Sequence, residues 1–485
     1  MSICKPKLTL EEKEVAILRD AVDIAEKRKG KQITSDPDVK KIISILENFL
    51  KRKKLVCYGG TAINNILPLE DQFYDKNIEI PDYDFYSPNA LDDAKELANI
   101  YYKEGFTEVE AKSGVHHGTY KVYVNFLPVA DITFLEKTLF KRVQSEGIKV
   151  YGILYCPPNF LRMNMYLELS RPAGDISRWE KVLKRLILLN KNYPLKGKHC
   201  DPKIFQRQFE KKIDNNTESQ LYYTVRDAFI DQGLVFFGGY ASFLYSSYMP
   251  TKLKKLFKKA PDFDVLSEEP EQSAVILKER LQDFNYQDVK IIKHTGIGEL
   301  IAPHFEVKVK VGNIEETVAF IYKPLACHSY NVIKKGNKSI RVATIDTMLS
   351  FYFAFFYSDR EYYDENRILC MAQYLFDVQQ KNRLQQKGLL KRFSINCYGQ
   401  QHTLEEMREE KAQKYKELKN QRNSKEFESW FLRYVPFEEN MEKEDKKLKT
   451  ENKKLKKQTK KHKPKRENKK KRKSKKNIIE IFNII

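Results

Sequence analysis

The sequence predicts an α+β protein in which two copies of one unit, a mixed sheet with flanking helices, follow each other along the chain. The main observation is a repeat. Paired glycines after a short apolar run, followed by Pro-Asp-x-Asp, occur at Gly59-Gly60 and Pro81–Asp84 and again at Gly238-Gly239 and Pro261–Asp264. The glycine pairs are offset by 179 residues (59 to 238) and the acid pairs by 180 (82 to 262). Such closely matched offsets indicate a duplication.

Length and composition limit the number of domains and the class of protein. A chain of 485 residues is too long for one core and predicts two or three domains. Because it has no run of 18 apolar residues and no signal-peptide pattern, we expect a soluble, intracellular protein with no membrane partner. The seven cysteines are scattered and never form Cys-x-x-Cys. They are interpreted as reduced thiols, neither a zinc site nor a disulfide framework.

The net charge of +22 is concentrated near the C-terminus. Between Glu442 and Lys476, 20 Lys and Arg stand against 5 Asp and Glu, so residues 441–485 are predicted to be a disordered, lysine-rich tail. Three roles remain open for it: non-specific nucleic-acid contact, a nuclear address, or solubility.

The first elements in chain order lead to the glycine pair. Helices are predicted over 8–29 and 36–54, within an N-terminal helical region 1–54, and an apolar strand then begins at Leu55. Gly59 and Gly60 follow it, and Thr61 is expected to cap a helix that ends near residue 66. Glycines let a ligand approach the backbone, and a helix N-terminus presents free N–H groups. The loop is therefore a candidate phosphate site.

Two acids come next, and a third follows on a later strand. Asp82 and Asp84 are separated by one residue, so in a strand both carboxylates lie on the same face. Because two like charges at this distance repel each other, the pair favours a divalent cation between them. A helix is predicted over 89–105 and a strand over 118–126. The strand 129–134 then carries Asp131, the third candidate ligand.

The glycine loop with Asp82-x-Asp84 and Asp131 resembles the core of the nucleotidyltransferase superfamily, which includes DNA polymerase beta and the poly(A) polymerases. With the runs 161–168 and 179–181, the likeness extends over roughly residues 36–385. Over that length the chain is similar to the catalytic subunit of poxvirus-type poly(A) polymerases of large DNA viruses, most of all their giant-virus branch. The resemblance implies tandem nucleotidyltransferase folds, the second degenerate.

The resemblance also implies the chemistry. AMP from ATP would be added to the 3′ end of mRNA without a template, by two Mg²⁺ or Mn²⁺ ions about 3.5–4 Å apart. Asp82 and Asp84 would hold both ions, and Asp131 would hold the ion that activates the 3′-OH and take its proton. Gly59, Gly60 and Thr61 would cradle the β- and γ-phosphates. A homodimer or a processivity partner, and a location in the virion and the host-cell cytoplasm, at the viral factory, are expected on the same ground.

Basic residues near this core are candidate RNA contacts. The helix predicted over 176–190 carries Lys181 and Arg185, and Arg162 lies on the helix before it. The alternative is that they belong to solvated helix faces, which is the commoner role of such residues.

The second copy departs from the first at one position. Val318-Ala319-Phe320-Ile321 stands where the first copy has Val129-Ala130-Asp131-Ile132, and phenylalanine can neither bind a metal nor take a proton. We therefore predict a pseudo-domain in which Asp262 and Asp264 are structural. The predicted domains are, in order, the catalytic domain 55–196, a helical linker 197–230, the degenerate domain 231–385 and a helical segment 386–440. The aromatic helices at 344–379 are interpreted as core rather than as a base-stacking stripe.

Two other functions fit the same residues. One is a terminal nucleotidyltransferase with another base preference, because base choice depends on a few pocket contacts. The other is a non-catalytic RNA-binding scaffold in which both copies have lost their chemistry.

Overall fold

The computed structural model describes residues 9–200, 204, 215–249, 254, 263–298, 300–358, 360 and 362–438. Residues 1–434 form one compact unit and 435–485 another. The predicted lysine-rich tail lies outside the described residues. None of the described helices is long and apolar enough to cross a membrane.

Two helices precede the first sheet, as predicted. Helix α1, Leu10–Ser35, starts with a capping box between Thr9 and Glu12 and buries none of its residues. Helix α2, Pro37–Lys53, is capped by Asp36, whose carboxylate accepts hydrogen bonds from backbone N–H groups of the first turn. One face of α2 packs into the core through Val39, Ile42, Leu46, Phe49 and Leu50.

The first sheet has eight strands, which are β1 (Val56–Tyr58), β2 (Tyr83–Ser87), β3 (Val109–Ser113), β4 (Thr119–Val124), β5 (Leu127–Phe134), β6 (Ile148–Val150), β7 (Ile153–Tyr155) and β16 (Arg433–Tyr434). Their order in the sheet is β16-β3-β4-β5-β2-β1-β7-β6. The centre of this sheet is mixed, because β2 runs antiparallel to β1 but parallel to β5.

The second sheet is formed by β8 (Val235–Phe237), β9 (Phe263–Leu266), β10 (Val289–His294), β11 (His304–Val311), β12 (Ile314–Tyr322), β13 (His328–Lys335), β14 (Lys338–Ala343) and β15 (Cys397–Tyr398). It repeats the arrangement of the first sheet, with the order β10-β11-β12-β9-β8-β14-β13-β15. Strand β9 is antiparallel to β8 and parallel to β12, in the same way as β2 is antiparallel to β1 and parallel to β5. The predicted pair of mixed-sheet units is thereby confirmed.

Helices flank both sheets and connect their strands. They are α3 (Gly59–Ile66), α4 (Ala90–Lys103), α5 (Lys137–Glu146), α6 (Pro158–Leu169), α7 (Trp179–Asn192), α8 (Asn215–Asp231), α9 (Gly238–Tyr245), α10 (Pro270–Asp283), α11 (Ile345–Tyr357), α12 (Glu365–Lys381), α13 (Leu404–Leu418) and α14 (Lys425–Phe431).

Equivalent helices of the two copies pack against each other. Helix α6 follows β7 and α11 follows β14, and the two helices are in contact. Phe160 near the start of α6 meets Tyr357 at the end of α11 with ring centroids 5.1 Å apart, and Tyr166 stacks on Phe353 at 6.2 Å. The helices therefore run antiparallel. Every residue of α11 is buried, which confirms its aromatic residues as core.

Two expectations outside the site are wrong. The segment 386–440 is not only helical, because β15 joins the second sheet and β16 joins the first. The cysteines are not all reduced thiols, since Cys200 is bonded to Cys370 and Cys327 to Cys397. These partners are 170 and 70 residues apart, so only the folded chain brings them together. Cys57 and Cys156 are free and buried.

Candidate active site

The three predicted acids meet at the centre of the first sheet. Asp84 on β2 and Asp131 on β5 are direct neighbours in the parallel register, and Asp82 immediately precedes β2. The buried Tyr83 points to the opposite face, so Asp82 and Asp84 share the face that carries Asp131. The fold thus places together carboxylates that are 47 residues apart in sequence (84 to 131).

The carboxylates of this cluster destabilise one another's charge. Burial raises the pKa of Asp84 to about 7, and the nearby Asp82 and Asp131 contribute to the rise. The pKa of Asp82 is also raised, first by burial and then by Asp131. Crowding of this kind is relieved when a cation lies between the carboxylates. Their oxygens are the donors that Mg²⁺ and Mn²⁺ prefer, so the residues fit such an ion.

A lysine neutralises one member of the cluster. Lys121 on β4 is the cross-strand partner of Asp131, and its ammonium forms an ion pair with that carboxylate. Within the described part of the chain, no three His, Cys, Asp or Glu side chains are preformed as a metal site. Binding an ion between the acids would therefore require Asp131 to exchange its contact with Lys121 for the ion.

The glycine loop lies against the acids. Helix α3 begins at Gly59, which has φ +74°, and a Cβ at this position would collide with the Asp84 carboxylate. No side chain caps α3, so the expectation that Thr61 does so is wrong. Thr61 is instead the third residue of the helix, and its hydroxyl donates to the Asp82 carbonyl at 2.6 Å. This bond fixes the first acid to the loop.

A buried arginine covers the second glycine. A Cβ on Gly60 would lie 2.6 Å from Tyr74 Oη and 2.9 Å from Arg185 Nη1. The Arg185 guanidinium stacks over Phe73 and Tyr74, with 4.9 and 5.5 Å to the ring centroids, and donates to Tyr74 Oη. Only 9% of Arg185 is exposed. This positive group therefore lies beside the first turn of α3, and the two together form a candidate anion site.

The other two predicted basic contacts differ in their exposure. Lys181 is exposed on α7, and its charge acts to lower the pKa of Asp82, so it stays a candidate for contact with substrate. Arg162 is 2% exposed, and its guanidinium donates to Asn159 and Asn190 between α6 and α7. The prediction that Arg162 contacts RNA is wrong, because its side chain is enclosed by helices.

A cavity of about 600 Å³ adjoins the acids. Helix α2, helix α3 and the loop that leads to β2 form its walls, and Thr61 and Asp82 belong to both the cavity and the site. Thr34 at the end of α1 holds this loop by donating to the Asn77 carbonyl at 2.7 Å. Sequence reasoning did not predict the cavity, since its lining comes from four separate segments.

The second copy keeps the loop and loses the acid at the same place in the sheet. Asp264 on β9 is the parallel neighbour of Phe320 on β12, in the register that joins Asp84 to Asp131. Tyr362 stacks on the Phe320 ring with centroids 5.5 Å apart and bonds to His304 Nε2 at 3.0 Å. The region that holds the acids in the first copy is thus packed with aromatic rings. Asp262 lies outside the described residues.

The comparisons with known proteins agree on this region. A family model described as poly(A) polymerase catalytic subunit matches residues 44–175. A putative poly(A) polymerase catalytic subunit of Acanthamoeba polyphaga mimivirus is 32% identical over 36% of this chain and 28% of that protein. A putative poly(A) polymerase catalytic subunit of African swine fever virus is 32% identical over 36% of each chain. The matched stretch thus spans about a third of these relatives' length.

The likeness in structure is more extensive. The crystal structure of the Megavirus polyadenylate synthase superposes with a TM-score of 0.72 at 18% identity, over 93% of this chain and 91% of that one. At this identity the match establishes the fold. The segment that carries the glycine pair and all three acids therefore matches the poly(A) polymerase catalytic subunit family, within a chain whose fold is that of a viral polyadenylate synthase.

Proposed function

We propose that this chain is a polynucleotide adenylyltransferase, which adds AMP from ATP to the 3′ end of RNA, mRNA above all, without a template and with release of pyrophosphate. The observation that carries the proposal is the direct pairing of Asp84 with Asp131 on adjacent parallel strands, next to Asp82 and the start of α3. This arrangement supplies carboxylates for divalent cations and backbone donors for phosphates on one face of the sheet.

The three acids would have two roles, ion binding and proton transfer. Asp82 and Asp84 would hold two Mg²⁺ or Mn²⁺ ions, and Asp131 would share one of them. When bound, such ions stabilise charge on the attacking and leaving oxygens. Asp131 would accept the proton of the RNA 3′-OH as this oxygen attacks the α-phosphorus in line. Before an ion binds, the ion pair with Lys121 holds the Asp131 carboxylate at the site, and Asp131 would then exchange Lys121 for the ion.

The start of α3 would bind the triphosphate. The N–H groups at Gly59 and Gly60 face the β- and γ-phosphates, and Arg185 adds a positive charge that Phe73 and Tyr74 keep in position. Because Arg185 is buried beside Gly60, a role toward ATP suits it better than the contact with RNA expected from its helix. The exposed Lys181 is assigned to the RNA phosphates or the departing pyrophosphate.

A primer-extension assay tests this proposal. The protein is incubated with a single-stranded RNA primer, Mg²⁺ or Mn²⁺, and each of the four NTPs in turn. We expect extension with ATP and little with the other three. Equal extension with UTP would replace the proposal by a terminal transferase of other preference, and no extension with any NTP would reject it.

A further inference from the structure

The hairpin formed by β4 and β5 extends past the start of β2 at the active site, with β3 alongside it. Strand β2 begins at Tyr83, which pairs with Ala130, so the first three residues of β5 have no partner on β2. Leu127 and Pro128 pair with the end of β4, and a register shift leaves Val129 between the paired positions. The hairpin therefore extends past β2 near Asp82, and its tip at Phe126 lies about 16 Å from Asp131, at about 3.3 Å for each of five residues.

One face of this hairpin is the face of the acids. Lys121 and Tyr123 alternate along β4 with the buried Tyr120, Val122 and Val124. Since Lys121 pairs with Asp131, Tyr123 lies on the same side, one step nearer the tip. It is half-buried, and the Lys112 ammonium lies 4.1 Å from its ring centroid while also pairing with Glu110 at 3.2 Å. Tyr123, with the Lys112 ammonium beside its ring, therefore lies between Asp131 and the tip of the hairpin.

A second aromatic ring, that of Phe126, lies at the tip of the hairpin, in a backbone conformation that is strained for a bulky residue. Asn125 and Phe126 form the two-residue turn with φ +48° and +65°. Asn and Gly favour such turns, whereas a bulky side chain at positive φ is strained. Phe126 is nevertheless present, with 82% of its surface exposed. It contributes neither to the core nor to the turn, which points to a contact outside the protein.

We propose that the β4–β5 hairpin is a stacking surface for the RNA nucleotides just upstream of the 3′ end, with Tyr123 and Phe126 as platforms and Lys112 as a phosphate contact. Aromatic side chains bind single strands by stacking on bases, with little dependence on sequence, and nearby cations hold the backbone. At about 3.4 Å per stacked nucleotide, Phe126 meets the strand about five nucleotides from the end. This inference rests on the proposed function, since it takes RNA as the substrate.

The test measures the affinity of the full chain for fluorescein-labelled oligo(A) without ATP, by anisotropy. Phe126→Gly removes the ring and relieves the backbone, so it does not weaken the fold through the turn. We expect about five- to tenfold weaker binding of a primer of about ten nucleotides, and no change for one of about three, which ends before the tip. Phe126→Tyr keeps a ring and retains wild-type affinity.

Tyr151 supplies a matched control. It is 85% exposed and has φ +48° in the turn between β6 and β7, at the other edge of the sheet. Tyr151→Gly should leave both affinities unchanged. Equal binding of the long primer by wild type and Phe126→Gly would overturn the proposal. If Phe126→Gly changes only the sedimentation coefficient of the protein, the tip contacts another protein chain instead of RNA, and the proposal is likewise overturned.

Failure of the proposed function would look different. If wild type extends no primer with any NTP, the adenylyltransferase assignment falls, while the comparison of RNA affinities still decides whether Phe126 contacts RNA.

Discussion

Asp84 and Asp131 are Cα partners on adjacent parallel strands, and in the second copy Asp264 and Phe320 are partners in the same register. Two sites built on one scaffold therefore differ at a defined position. Glycines and an acid on β2 or β9 are common to both copies, so they do not by themselves distinguish the candidate site. The acid on β5 is the difference between the two copies.

Replacing the third acid should remove the chemistry and leave the fold. We expect Asp131→Asn to reduce primer extension by about 10³-fold or more, because the proton acceptor and an ion ligand are lost together. RNA affinity should stay within about twofold of wild type. The matched control is Asp264→Asn, which should extend primers at nearly the wild-type rate. Full activity of Asp131→Asn would favour the scaffold function or a different active site.

Asp84 should make stability depend on pH. Its pKa is raised to about 7 in the folded protein, whereas an unfolded Asp titrates near about 3.9. Between these values the folded state holds a proton that the unfolded chain has lost, so the free energy of unfolding falls as the pH rises from about 4 to about 7. Asp84→Asn removes this loss. In EDTA at pH 8 it should melt about 3–8 °C above wild type, and the gap should close near pH 4.

The control for this melting experiment is Asp20→Asn on the exposed helix α1, which should not change the melting temperature at either pH. If Asp84→Asn and wild type melt together at pH 8, the carboxylate is not destabilised by its surroundings.

Restoring an acid to the second copy should not restore a site. Phe320 is 3% exposed and stacked against Tyr362, so Phe320→Asp would bury a carboxylate in aromatic surroundings. We expect it to lower the free energy of unfolding by about 2–4 kcal/mol and, in an Asp131→Asn background, to give no extension. Phe320→Leu, measured beside it, separates lost volume from buried charge. Extension by the double variant would show that the second copy still binds both substrates.

Arg185 should act on ATP rather than on RNA. Arg185→Lys keeps the charge but loses the planar group over Phe73 and Tyr74, so the KM for ATP should rise about tenfold. The affinity for RNA should not change. Lys184→Ala, on the exposed side of the same helix, serves as the control and should alter neither value. A weaker affinity for RNA with an unchanged KM for ATP would return Arg185 to the role expected from its sequence alone.

The local features of the site were predictable, because alternation and turn residues act over a few positions. The strand before Gly59, the acid pair and the strand of Asp131 all follow from such patterns. The partners of the buried side chains do not follow from such patterns. Arg185 meets Tyr74 across 111 residues, and Tyr362 reaches Phe320 from a different element. Periodicity marks which face of α7 is basic, but only the folded chain shows that Arg185 is enclosed beside the glycine loop.

The antiparallel packing of α6 on α11 brings equivalent helices of the two copies into contact, as equivalent elements meet in a symmetric dimer. Here the halves are covalently tethered, so their association does not depend on protein concentration. A tethered pair is also free of the requirement that both surfaces change together. One half can fill its cleft with aromatic rings and serve as a fixed buttress, while the other keeps its cleft open for substrate.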